Sequence, residues 1–169
     1  MLVLGIDPGL ATTGYGLVEG DGQTLEAVAY GVLRTPAKTP IAERLVILHD
    51  ALSALLDRYR PDVVAMEELF FSTNARTAMT VGEARGVLLL TAAQAGLAIC
   101  EYTPLQIKQA VTGYGQAEKQ QMQEMVRLLL SLPEIPRPDD AADGLAVSIC
   151  HHHSSRLSQL VAQARQEAE

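Results

Sequence analysis

The stretch that most constrains the fold is the N-terminal "LVLGIDPGLATTGYGLV", residues Leu2 to Val18. Leu2 to Ile6 is apolar without alternation, the pattern of a strand buried on both faces. It delivers one carboxylate, Asp7, into a Pro8-Gly9 turn, after which Gly14 to Glu19 reads as its hairpin partner. A chain that begins this way builds a sheet around its own first strand and sets an acid at the end of it. Two chemistries use that arrangement. In one, the glycine-rich turn cradles a nucleotide phosphate. In the other, the acid holds a metal ion and the turn only brings the chain back as a second strand.

The chain's 169 residues fit one domain. Thr24 to Thr35 alternates as a third strand after the Asp21-Gly22 turn. Thr39 is placed to cap a helix with Pro40 as its first residue, and Ile41, Leu45, Leu48, Leu52, Leu55 and Leu56 keep helical spacing until Pro61. "DVVAME", Asp62 to Glu67, is a fourth strand, again ending in acids. A long helix is expected from Ser72 to Ala95, stopped by Gly96, then a fifth strand from Leu97 to Tyr102. Thr103, Pro104 and Gln106 form a capping box that opens the next helix, which Gly113 and Gly115 break. Further helices are expected from Gln116 to Leu130 and from Asp139 onward, with Ala142 to Cys150 as the apolar part and a polar tail after His153. The order predicts an α/β fold, a mixed five-stranded sheet with helices on both faces.

If the first and fourth strands run parallel, Asp7 and Glu67 reach the same sheet edge, where open α/β sheets bind ligands. Glu68 competes with Glu67 for this place, because both faces of that strand are apolar. In "PDDAADG", Asp140 and Asp143 are three residues apart at a helix start, so they share a face, and Asp139 is placed to cap. Four acids from three segments repel one another, which predicts a divalent cation among them. Carboxylate oxygens suit Mg²⁺ or Mn²⁺ rather than zinc. A pair of such ions activates water and stabilises a leaving oxygen in phosphodiester hydrolysis.

The net charge of −7 argues weakly against nucleic acid, but acids gathered at a metal site make net charge a poor guide. From Phe70 to Arg127 the bases Arg76, Arg85, Lys108, Lys119 and Arg127 face the acids Glu83, Glu101, Glu118 and Glu124, so this segment is the least acidic part. Cys100 and Cys150 sit in apolar surroundings and read as reduced thiols of a cytoplasmic protein. No apolar run is long enough to span a membrane. His151, His152 and His153 are adjacent on a helix and point in different directions, so they do not chelate together from one face.

"GIDPG…TGYG", "VAMEELFF", "GEARGV", "TPLQIKQAVTGYGQAEKQQMQEMV" and "DDAADGLAVSICH" together closely resemble the RuvC family of bacterial Holliday-junction resolvases, in order and spacing, from about residue 3 to 153. The resemblance implies an RNase H-like fold over residues 1–153, with 154–169 as a polar tail. It implies a homodimeric endonuclease that nicks two symmetric strands of a four-way DNA junction with Mg²⁺ or Mn²⁺, two ions per site, alongside a branch-migration motor. The family's four acids fall on Asp7, Glu67, Asp140 and Asp143, which favours Glu67 over Glu68. By the same resemblance Phe70 stacks on an unpaired base, Lys108 and Lys119 contact DNA near the scissile phosphate, and Arg76 and Arg85 are further DNA candidates. Ala78, Gly82 and Gly86 mark the helix that the family uses in its dimer interface. The turn after Asp7, "LATT", lacks the basic residue many members carry there.

Three rivals are weighed against this. An actin- or hexokinase-like ATPase shares the Gly-Ile-Asp-x-Gly loop, but it needs a second similar domain for which 169 residues leave no room. An RNase H-like nuclease for other DNA or RNA shares the sheet and the acids. A silent junction-binding protein requires a broken acidic set, and this one is intact.

Overall fold

In the computed structural model, which describes residues 1–21, 23–69 and 75–166, the first strand lies at the centre of the sheet. Strand β1 (Leu2–Asp7) pairs antiparallel with β2 (Thr12–Gly20), and β2 with β3 (Leu25–Arg34). On its other side β1 pairs in parallel with β4 (Val63–Glu67), which pairs in parallel with β5 (Ala98–Tyr102). The order is β3-β2-β1-β4-β5. Helices α1 (Ile41–Tyr59) and α2 (Ala75–Gln94) connect the parallel strands, and α3 (Pro104–Thr112), α4 (Lys119–Leu129) and α5 (Asp139–Gln166) follow. Start of the second helix at Ser72 lies outside the described residues.

Strand alternation divides the core in two. Leu4, Ile6, Leu17, Val64 and Met66 pack with Leu48, Leu52 and Leu56 of α1 and Ala84, Leu88 and Ala92 of α2. Val3, Val18, Val63 and Ala65 pack on the other face with Ile107 and Val111 of α3, Met122 and Val126 of α4, and Leu145 to Cys150 of α5. The unbroken apolar runs of β1 and β4 are thus explained, since each strand has helices above and below.

Two expected caps are corrected. Pro40 itself occupies the N-cap of α1 and its carbonyl accepts from the Arg44 N–H, while Thr39 closes a turn onto Pro36. Asp139 is the first residue of α5 rather than its cap, and its carboxylate is drawn to Arg137 at 3.0 Å. The Thr103–Gln106 capping box forms as expected. Helix α4 starts later than the sequence suggests because Glu118 and Gln121 cap it reciprocally. Helix α5 continues through Gln166. Both cysteines are free, Cys150 buried and Cys100 partly so. Among the described residues no helix is long and apolar enough to cross a membrane.

The glycines of the opening stretch serve the packing of α5. A Cβ on Gly16 would stand 2.6 Å from Leu145 Cα, and one on Gly14 would collide with the Asp140 carbonyl. Helix α5 therefore lies against the β2 backbone itself, which only bare glycine permits.

Candidate active site

The carboxyl ends of β1 and β4 lie side by side, so Asp7 and Glu67 emerge at one sheet edge. Period-2 alternation decides the face. Asp7 follows Val3 and Gly5, and Glu67 follows Val63 and Ala65, so both acids point to the side on which α5 packs. Glu68 is on the opposite parity, exposed, with its N–H donating to the Tyr102 carbonyl at 2.8 Å. The N-terminal end of α5 brings Asp140 and Asp143 to this same edge. The close approach at Gly14 seats the Asp140 backbone directly on β2.

A cleft of about 360 Å³ results, lined by Asp7, Glu67, Asp143, Lys108, Lys119, Pro104, Ile107, Met122 and Ala146. Asp140 stands beside it and acts through its charge. The apolar lining residues escaped the sequence reading, though helical spacing holds them: Pro104, Ile107 and Lys108 share one face of α3, and Lys119 and Met122 one face of α4.

The electrostatics are those of crowded acids. Burial, then the charges of Glu67, Asp143 and Asp140, push the Asp7 carboxyl from 3.8 to about 8. Burial raises Glu67 as well, while its hydrogen bond to Asp7 and the charge of Lys108 oppose the rise. Asp143 is raised by burial against the pull of Lys119. Lys119 Nζ sits 3.5 Å from Asp139 and 3.7 Å from Asp143. Burial works against its charge, but these acids outweigh it and raise its pKa. Among the described residues no three Asp, Glu, His or Cys side chains already form a closed ligand cluster: Asp7 and Glu67 are bonded to each other and Asp143 to Lys119. The donors are nonetheless all oxygen, partly buried, and pushed toward protonation by burial and by one another, which is the crowding a hard divalent cation relieves.

The remaining candidates divide. Arg85 lies half-buried on α2 in an ion pair with Glu101 of β5, away from the cleft. Arg76 lies in α2. Phe70 lies outside the described residues. Among the described residues Gly86 faces open space, with nothing within 4 Å of a Cβ built there, and Gly82 meets only Leu69 at 3.8 Å. Together with exposed Met79 and Leu90 they form an apolar strip on the side of α2 turned from the sheet, and half-buried Ala78 lies one turn before Gly82. His151, His152 and His153 are not in the cleft lining, and each bonds a different element.

The family model described as "Crossover junction endodeoxyribonuclease RuvC" matches residues 3–151. A RuvC of Thermomicrobium roseum is 57% identical over 160 residues, covering 95% of this chain and 98% of that protein. The structure of Thermus thermophilus RuvC in complex with a Holliday junction substrate superposes with a TM-score of 0.89 at 38% identity, covering 94% of this chain and 96% of that one. The yeast mitochondrial Holliday junction resolvase Ydc2 superposes with a TM-score of 0.66 at 14% identity, a likeness of fold. The five-stranded mixed sheet with helices on both faces is the RNase H-like arrangement these proteins share.

Proposed function

The chain belongs to the RuvC family of crossover junction endodeoxyribonucleases, and from that premise we propose how its own residues perform the cut. Asp7, Glu67 and Asp143, with Asp140 beside them, would hold two Mg²⁺ or Mn²⁺ ions, which would supply a nucleophilic water and an electrostatic partner for the leaving oxygen. The observation that carries this is the convergence of acids from β1, β4 and α5 on one cleft, close enough that burial and mutual repulsion push the Asp7 carboxyl up to about 8. No nucleotide-phosphate cradle is needed to explain the opening glycines, because α5 occupies the space above Gly5, Gly14 and Gly16 and the turn itself closes on Gly9 through Thr12.

Lys108 and Lys119 project into the same cleft from two helices and bind the phosphates flanking the scissile bond. Lys119 exchanges its contacts with Asp139 and Asp143 for phosphate as DNA arrives. Ile107 and Met122 give the cleft an apolar wall that limits the water around the reacting phosphate. Phe70 stacks on an unpaired base at the crossover, worth roughly 1–3 kcal/mol. Arg76 is a further phosphate contact, whereas Arg85 serves by fastening α2 to β5 through Glu101. In-line attack with departure of the 3′ oxygen leaves 5′-phosphate and 3′-hydroxyl ends that a ligase seals. The apolar strip of Ala78, Gly82 and Gly86 on α2 joins two copies, and a two-fold dimer suits a two-fold junction. The protein works in the cytoplasm on four-way junction DNA, alongside a branch-migration motor.

The deciding experiment offers a synthetic four-way junction, a linear duplex and an RNA–DNA hybrid with Mg²⁺, Mn²⁺ or EDTA. Paired symmetric nicks in the junction alone, lost in EDTA, are expected. Preferential cutting of the hybrid, or cutting that survives EDTA, overturns the reading.

A further inference from the structure

The run His151–His152–His153 joins α5 to three different elements. His151 Nδ1 is 2.8 Å from the Tyr102 hydroxyl of β5, the two rings edge-on with centroids 5.9 Å apart. His152, only 1% exposed, places Nε2 3.0 Å from the Val18 carbonyl of β2. His153 Nδ1 lies 2.9 Å from the Ala110 carbonyl of α3. A carbonyl only accepts, so His152 Nε2 and His153 Nδ1 are the donors and carry the ring protons. Three rings bonded to three separate elements do not converge on one ion.

Every arm ends near a strand or helix that carries a cleft residue. Val18 is in register with Val3 of β1, the strand that ends at Asp7. Ala110 is two residues from Lys108. Tyr102 is the most telling. It is in register with Glu67, its carbonyl accepts from the Glu68 N–H at 2.8 Å, and its hydroxyl bonds His151. One residue thus holds the end of β4 through its backbone and α5 through its side chain. From His151 back to Asp143 runs roughly 12 Å of continuous helix, stiff enough to carry a position along its length.

We propose that the histidine run is a clamp that positions α5, and that its His151–Tyr102 arm sets where Asp143 stands relative to Glu67. His151 and Tyr102 are positioning residues, and their role toward the cation rests on the metal-nuclease reading above. Ligand separation governs cation affinity, and groups that orient ligands change it by about 10–100-fold when removed. An arm about two turns along the same helix from Asp143 belongs at the lower end of that range.

The test titrates Mn²⁺ into the full-length protein by calorimetry and measures junction cleavage and junction binding separately. Tyr102→Phe removes only the hydroxyl and keeps the ring. It should weaken Mn²⁺ binding by about 10-fold and lower kcat at fixed Mn²⁺, with junction Kd unchanged. His151→Leu should do the same, and the two together should be no worse than either. His151→Asn, which keeps a hydrogen-bonding atom near the Nδ1 position, should recover most of the loss. Variants that melt earlier but bind Mn²⁺ and turn over as the parent does would make the arm a plain stability contact and overturn the proposal. Failure of the parent protein to cut junctions, with Mn²⁺ binding still weakened by Tyr102→Phe, would sink the nuclease reading and leave the clamp standing.

Discussion

Asp7 and Glu67 share a hydrogen bond at the ends of two adjacent parallel strands. Two carboxyl groups make such a bond only when one of them keeps its proton, so the pair resists full ionisation at neutral pH. The fold pays for that resistance with stability, and the cost has a definite pH window.

Burial and the neighbouring acids push Asp7 up from the ordinary 3.8 to about 8 in the fold. A raised acid favours the folded state below the lower value and loses that contribution as pH rises through the upper one. In EDTA, the parent should therefore lose stability relative to Asp7→Asn between about pH 4 and pH 8. Mg²⁺ or Mn²⁺ at about 100 times Kd should restore roughly 2.7 kcal/mol to the parent and little to the variant. Urea unfolding at several pH values, with and without metal, reads both effects, and equal pH dependence in the two proteins would refute the assignment. Asp7→Asn should also abolish junction cleavage while leaving binding largely intact.

The seat of α5 on β2 makes a second prediction. Gly16→Ala forces a methyl to within 2.6 Å of Leu145 Cα, so it should cost about 1–3 kcal/mol or more by urea unfolding. Gly86→Ala meets nothing within 4 Å and sits in a helix interior, so it should gain up to about 1 kcal/mol in the monomer. Similar effects from the two changes would mean that α5 is not held against the sheet as described.

Gly86 also tests the pairing of copies. Among the described residues Gly86→Arg finds open space in the single chain and should leave its far-ultraviolet spectrum unaltered. If α2 joins two copies through this strip, sedimentation velocity should show the variant as a monomer where the parent is a dimer. A dimeric variant would move the interface elsewhere.

Lys108 and Lys119 should each act as one phosphate contact. Lys108→Ala and Lys119→Ala should each lower the salt slope of junction binding by about 1. Lys119→Ala should in addition leave Asp143 without the ammonium 3.7 Å away, so Asp143 should titrate higher still. A slope equal to the parent's would return that lysine to surface solubility.

Much of this was legible in the residues. An unbroken apolar run ending in an acid implies a strand buried on both sides, and β1 is the centre of the sheet. The Thr103–Gln106 cap is written in contiguous residues and forms without outside help. Short-range signals of this kind depend only on the chain's own neighbours. Where the signal needed a partner, the sequence stopped short. Thr39 and Asp139 have the chemistry of caps, yet a turn on Pro36 and a charge on Arg137 claim them. Arg85 has the charge to meet DNA, but Glu101 of β5 holds it.

The sequence by itself determined the order of elements and, through its collected motifs, the family. Only the tertiary structure decided which face Glu67 and Glu68 each take, what the glycines are for and where the histidines go. The reason is common to all three. Both faces of β4 are apolar, so parity has no meaning until α5 has chosen a side. A glycine records that something comes close but not what, and Leu145 and Asp140 are far along the chain from Gly16 and Gly14. Three adjacent histidines specify three directions, and only the packing of β5, β2 and α3 around α5 supplies a hydroxyl or a carbonyl in each.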